Sequence, residues 1–225
     1  MNAVSEPWAY RGVVTFPVGP ISLEGNLEIP RSAGGVILFA HGSGSSRHSR
    51  RNQHVARQLQ QGGLGTLLID LLTSEEEDID LRTRELRFDI DLLAQRVVGA
   101  TGWLASHRAA QGMSIGLFGA STGAAAALVA AAERPDAVAA VVSRGGRPDL
   151  ALEHLPRVQV PTLLIVGARD TLVINLNRAA MPHLGGEKRL EIIPGASHLF
   201  EEPGALDEVA RLAREWFQQY LRRDC

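Results

Sequence analysis

The chain has 225 residues, 45% of them apolar, with 23 basic and 25 acidic side chains and a formal net charge of −2 at pH 7. That length supports a substantial core in one domain over residues 1–225, and the near-balance of charge leaves no basic stripe for a nucleic-acid backbone. The single cysteine, Cys225, stands at the last position, which excludes an internal disulfide and a thiolate metal cluster.

The opening MNAVSEPWAYRG has no basic stretch followed by an apolar core, and no later run approaches the roughly 18 apolar residues of a membrane span. A soluble cytoplasmic protein is the expectation, with no membrane or nucleic-acid partner. Next, ISLEGNLEIP alternates Ile21, Leu23, Leu27 and Ile29 with Ser22, Glu24, Asn26 and Glu28, as a half-exposed strand does. With VVTFPV before it and Gly19-Pro20 between, it predicts an antiparallel hairpin at a sheet edge.

From residue 34 the texture becomes short unbroken apolar runs: GVILFA, GTLLID, SIGLFG, AVAAVVS, PTLLIVG and KRLEIIPG. Such runs suit strands buried on both faces of a parallel sheet. Between them lie helical patterns, one carried by Leu86, Ile90, Leu93, Val97 and Leu104 and the last by Leu206, Val209, Leu212, Trp216 and Tyr220. The alternation predicts an α/β fold with a doubly wound, mostly parallel sheet. No insertion is long enough for a large cap domain. The acidic run SEEED, Ser74 to Asp78, reads as a solvated loop.

The loop after GVILFA reads HGSGSSRHSRRN, and His41-Gly42-Ser43-Gly44 lets the backbone fold close to whatever stands at the next strand end. Gly42 and Gly44 after a strand also suggest a dinucleotide fingerprint, but Arg47 replaces its third glycine and the acidic ribose partner is out of place. Further on, SIGLFG ends and TGAAAALVAAAE begins at Gly119-Ala120-Ser121-Thr122-Gly123, a G-x-S-x-G in strand-turn-helix context. The glycines serve a sharp bend, the serine is presented above the sheet, and the helix start offers free N–H groups to an oxyanion. A plain turn whose serine caps the helix is the bland alternative.

A serine hydroxyl needs a base, and the base an orienting acid. PTLLIVGARD places Asp170 just past a strand, and EIIPG is followed by ASHLF with His198 in the loop before the last helix. Asp170 also suits a helix N-cap and His198 a surface loop, but three such placements at neighbouring strand ends point to a triad of Ser121, Asp170 and His198, with Asp149 as the fallback acid. The backbone N–H groups of Thr122 and Ser43 are the expected oxyanion hole. Arg144, past the AVAAVVS strand, is a candidate ligand for a substrate carboxylate, as are His41 and Arg47 from the HGSG loop as substrate contacts. Arg50 offers the same contact, and for all three arginines ties to Asp149, the SEEED run or backbone carbonyls are the favoured reading. His48, His54, His107, His154 and His183 have no metal-ligand spacing, so no metal is expected, and Trp103 and Trp216 read as core.

Taken together, FAHGSGSS, GLFGASTGAAAAL, VSRGGRPDL, LLIVGARDTLV and IIPGASHLFEEPG resemble the α/β-hydrolases, and within that superfamily the chain is similar to the dienelactone hydrolase family over nearly its whole length. The resemblance implies a small hydrolase without a cofactor, acting through an acyl-enzyme on small esters or lactones, with nucleophile, acid and base on Ser121, Asp170 and His198. It departs from that family in one respect: dienelactone hydrolases proper use a cysteine nucleophile, and Ser121 makes a serine carboxylesterase the expected activity. Acyl transfer or perhydrolysis through the same acyl-enzyme, and a non-catalytic binding role, are the alternatives, for a monomer or homodimer.

Overall fold

A computed structural model describes residues 7–221, so Cys225 lies outside the described residues. Eight strands form one sheet in the order β1-β2-β4-β3-β5-β6-β7-β8. The hairpin expected at the edge is present: β1 (Trp8–Val18) pairs antiparallel with β2 (Ile21–Pro30), which joins β4 (Gly65–Ile69) antiparallel. The rest is parallel: β3 (Gly35–Ala40), β5 (Ser114–Ala120), β6 (Val138–Arg144), β7 (Thr162–Gly167) and β8 (Lys188–Ile193).

Every residue of β3, β4 and β7 is buried, as unbroken apolar runs require. β8 differs from its reading, since only Ile193 of the strand is buried. It is the far edge of the sheet and meets neighbours on one side only. Helices cover both faces and account for the short apolar stripes between strands. α1 (Arg50–Gln61) and α6 (Ala205–Tyr220) pack over one face, where Phe39, Phe118, Leu59, Val209 and Phe217 share a core. α3 (Ile90–Ser106), α4 (Thr122–Glu133) and α5 (Thr171–Ala180) lie on the other. Trp216 is buried, and Trp103 stacks on Phe16 with centroids 4.7 Å apart.

The SEEED stretch is not a loop. It opens α2 (Ser74–Thr83), whose N-cap Thr73 accepts from the Glu76 N–H while the Glu76 side chain accepts from the Thr73 N–H. That reciprocal capping, with Glu75, Glu76 and Glu77 in the first turn facing the positive end of the helix, turns an acidic run into a helix start. α2 is fastened by charge: Glu76 meets Arg96 of α3 at 2.7 Å, and Asp80 binds Arg87. Among the described residues no helix is long and apolar enough to cross a membrane.

Candidate active site

Ser121 sits between β5 and α4 with φ 51° and ψ −120°, a conformation that a non-glycine residue holds only when its surroundings impose it. The surroundings are close-packed backbone. A Cβ at Gly119 would lie 2.3 Å from Ala124 Cα, and one at Gly123 would lie 2.3 Å from the His41 carbonyl oxygen and 2.4 Å from that of Ala40. The elbow therefore folds α4 directly onto the end of β3. The alanines serve the same close approach, because Thr122 through Ala132 of α4 are all buried.

The extension of β6 grips the backbone of Ser121 on both sides: its N–H donates to the Arg144 carbonyl and the Arg147 N–H donates to its carbonyl, each at 3.2 Å. One residue on, Gly145 lies against His198, since a Cβ there would come 3.5 Å from its Nδ1 and Cε1. The structure thus brings Ser121 and His198 to the two sides of one strand end. The link from Ser121 Oγ to the ring is not formed in it, and such contacts commonly tighten only with substrate bound.

Asp170 makes both contacts that its position suggests. Its Oδ1 accepts from the Val173 N–H at 3.4 Å as the N-cap of α5, and its Oδ2 accepts from His198 Nδ1 at 2.6 Å. A carboxylate only accepts, so Nδ1 is the donor in this bond and Nε2 is the ring nitrogen left over. The two loops are held in register at Gly167, where a Cβ would meet the Ala196 and Ser197 carbonyl oxygens at 2.5 Å. Asp149 is taken up by Arg147 through two hydrogen bonds.

The HGSG loop lies over the elbow, with the place of a Gly42 Cβ 3.1 Å from the Ala120 carbonyl oxygen and from Ser121 Cβ. Ser45 N–H closes a turn onto the Gly42 carbonyl, and Gly44 takes the positive φ of 68° that such a turn requires. Thr122 N–H, first in its helix, has no intrahelical acceptor. His41 is buried and anchors this loop: its Nδ1 donates to the Gly42 carbonyl at 2.9 Å and its Nε2 accepts from the Leu71 N–H at 3.1 Å. Burial holds its pKa below the ordinary 6.5, against the raising effect of the Gly42 carbonyl, Asp70 and Glu77.

A cavity of about 170 Å³ opens beside this loop, lined by Ser43, Leu71, Leu81, Leu93 and Thr122 among others. It had no signal in any one stretch of sequence, because β3, β4, α2 and α3 each contribute one wall. Arg47 is turned away to Asp70 and Glu24, whereas Arg144 is buried beside Ser121. Among the remaining histidines, His54 meets Asp207 at 2.7 Å and His107 packs on Trp103. Among the described residues no group of three or more His, Cys, Asp or Glu side chains is placed to hold a metal.

Residues 33–214 match the sequence profile of the alpha/beta hydrolase domain. The chain belongs to the alpha/beta hydrolase family. Within it the chain is dienelactone hydrolase-like: a solved dienelactone hydrolase from Anabaena variabilis is 64% identical, with TM-score 0.93 over 95% of this chain and 99% of that one. A cold-adapted esterase from an Arctic intertidal metagenomic library shares the fold at 16% identity, with TM-score 0.72 over 93% of each chain. Curated proteins of Mycobacterium tuberculosis, named provisionally as phosphoribosyl transferases, are 51% identical over 221 residues, which is 98% of this chain and 49% of theirs. The chain spans about half the length of the curated relatives it matches.

Proposed function

We propose that this hydrolase cleaves carboxylic esters or lactones of small molecules with Ser121 as nucleophile. The observation that carries the reading is the 2.6 Å contact of His198 Nδ1 with Asp170, placed across Gly145 from a serine held in elbow geometry. In the first step His198 Nε2 accepts the Ser121 Oγ proton as Oγ bonds to the ester carbonyl carbon. The carbonyl oxygen takes the electron pair and the negative charge, which the Thr122 and Ser43 N–H groups stabilise. Collapse of that intermediate breaks the bond to the alcohol oxygen, and the alcohol leaves with the proton from His198. Water then repeats the sequence on the acyl-enzyme, and the acid leaves.

The name of the Mycobacterium tuberculosis relatives favours a second reading, phosphoribosyl transfer. The acyl-transfer reading is preferred because here the polar groups gather around a serine, a histidine and two backbone N–H groups, and this chain spans only about half of those proteins. A fluorophosphonate probe followed by peptide mapping tests the proposal. A stoichiometric adduct on Ser121, lost in Ser121→Ala together with turnover of p-nitrophenyl esters, is expected; turnover retained by Ser121→Ala would overturn it.

A further inference from the structure

Glu77, Asp80 and Leu81 share one face of α2, at the spacing i, i+3 and i+4. All three line the cavity beside the HGSG loop, while Glu76, one position away, turns to Arg96 of α3. That tie holds α2 with this face toward the cavity. Leu71 and Leu93, which also line it, are buried, whereas Leu81 is 66% exposed and so forms its rim.

The sheet order decides which half of an ester enters. Ser121 follows β5, the HGSG loop follows β3, and Asp70 and Leu71 follow β4, so the cavity lies on the β3–β4 side of the nucleophile. Asp170 and His198 follow β7 and β8 on the opposite side. In the mechanism above the leaving alcohol takes its proton from His198, so its oxygen lies on that side. With the carbonyl oxygen at the Ser43 and Thr122 N–H groups, the acyl chain is the part left to enter the cavity.

Size and charge then limit what the acyl chain can be. An apolar cavity of about 150 Å³ holds a benzene molecule, so the 170 Å³ here takes a group of about six carbons. A longer chain must displace Leu81. Asp70 and Asp80 are ion-paired with Arg47 and Arg87, so each guanidinium already has its carboxylate. Glu77 is exposed and has no ion pair among the described residues, so its charge opposes an incoming anion.

We propose that this cavity is the acyl site and that the exposed face of α2 sets its substrate class: esters of uncharged acids of about six carbons, with Leu81 fixing the upper size and Glu77 turning anionic acids away. The proposal rests on the hydrolase reading above.

The test measures kcat/KM on p-nitrophenyl acetate, butyrate, hexanoate, octanoate and hemiadipate for wild type, Leu81→Ala, Leu81→Trp and Glu77→Gln, with thermal unfolding to check that each variant folds. In wild type kcat/KM is expected to rise about fourfold per methylene up to hexanoate and to drop at octanoate. The octanoate-to-butyrate ratio is expected to rise about tenfold in Leu81→Ala and to fall as much in Leu81→Trp, the effect of a methylene admitted or excluded. The hemiadipate-to-hexanoate ratio is expected to rise about two- to fivefold in Glu77→Gln, and the difference from wild type to shrink with salt. Methyl, butyl and hexyl butyrates vary the alcohol instead, and Leu81→Ala is expected to keep the wild-type ratios among them. A change in the alcohol series with none in the acyl series would overturn the acyl assignment. A drop that stays at the same chain length in both Leu81 variants would overturn the size limit, and an unchanged hemiadipate ratio the role of Glu77. If wild type turns over none of these esters, the hydrolase reading fails and the acyl site with it; turnover that Ser121→Ala abolishes, with any of the contrary results, strikes the acyl site alone.

Discussion

Replacing Gly123 with alanine should disable the site from within its scaffold. The added Cβ would stand 2.3 Å from the His41 carbonyl oxygen and 2.4 Å from that of Ala40, where a comfortable carbon-oxygen contact is about 3.3 Å, so α4 and the end of β3 must separate by about 1 Å. Neither partner is a flexible side chain, and the strain of such overpacking is about 1–3 kcal/mol of stability. The separation falls between Thr122 N–H on α4 and Ser43 N–H on the HGSG loop, the two proposed oxyanion donors. A displacement of that size costs about 100-fold in rate, and loss of one donor about 100- to 1,000-fold. The assay is kcat/KM on p-nitrophenyl butyrate with thermal unfolding alongside. Gly34→Ala is the control, because nothing lies within 4 Å of its Cβ position. Gly123→Ala with wild-type melting and kcat/KM within threefold of wild type would refute the claim that this glycine sets the oxyanion hole.

Asp170→Asn should separate the residue's two roles. Asparagine caps α5 as well as aspartate, so stability holds, but the ring loses the carboxylate that fixes its tautomer and kcat should fall by about 10,000-fold. An active Asp170→Asn enzyme would move the acid elsewhere. His41 gives a pH dependence of stability. Its folded pKa lies below the unfolded 6.5, so its contribution is complete above pH 6.5, and below that the unfolded chain binds the proton first. Unfolding free energy should therefore fall with decreasing pH until the folded pKa is passed, by at most about 1.4 kcal/mol per pH unit from this residue, and less steeply in His41→Asn. Parallel curves for the two proteins would contradict this. Arg144→Met, which replaces an unanswered buried charge with an apolar chain, should gain about 1–4 kcal/mol and melt several degrees higher. A lower melting temperature would show that contacts within the fold already hold the guanidinium.

What could be read in the sequence depended on whether the signal was local. Ser121, Asp170 and His198 were legible as neighbours because each follows a strand, Ser121 and Asp170 a buried apolar run and His198 the outer strand β8, and in a parallel sheet every strand ends at the same edge. The contact of Asp170 with His198 across 28 residues then follows from topology. α2 was legible and was missed: Thr73-Ser74-Glu75-Glu76 is a capping-box pattern, but the density of acids made it read as a solvated loop. The exposed outer strand β8 was not foreseeable from KRLEIIPG, since its edge position is set by what pairs beside it.

The arginines show where local reading stops. Arg144 ends a strand and Arg47 stands in the loop after one, and both were candidate substrate ligands, Arg144 the stronger. Their difference lies in residues distant along the chain. Arg47 meets Asp70, 23 residues away, at the end of the neighbouring β4, and it also reaches Glu24 of β2, so its charge is spent within the fold. For Arg144 the neighbouring β5 offers a backbone N–H to its carbonyl, and α1 offers a second cation. No acid arrives at its guanidinium from any described element. An arginine that the fold has neutralised contributes through its ion pair, whereas a buried one that meets no carboxylate costs its desolvation, so Arg47→Met and Arg144→Met should move the melting temperature in opposite directions.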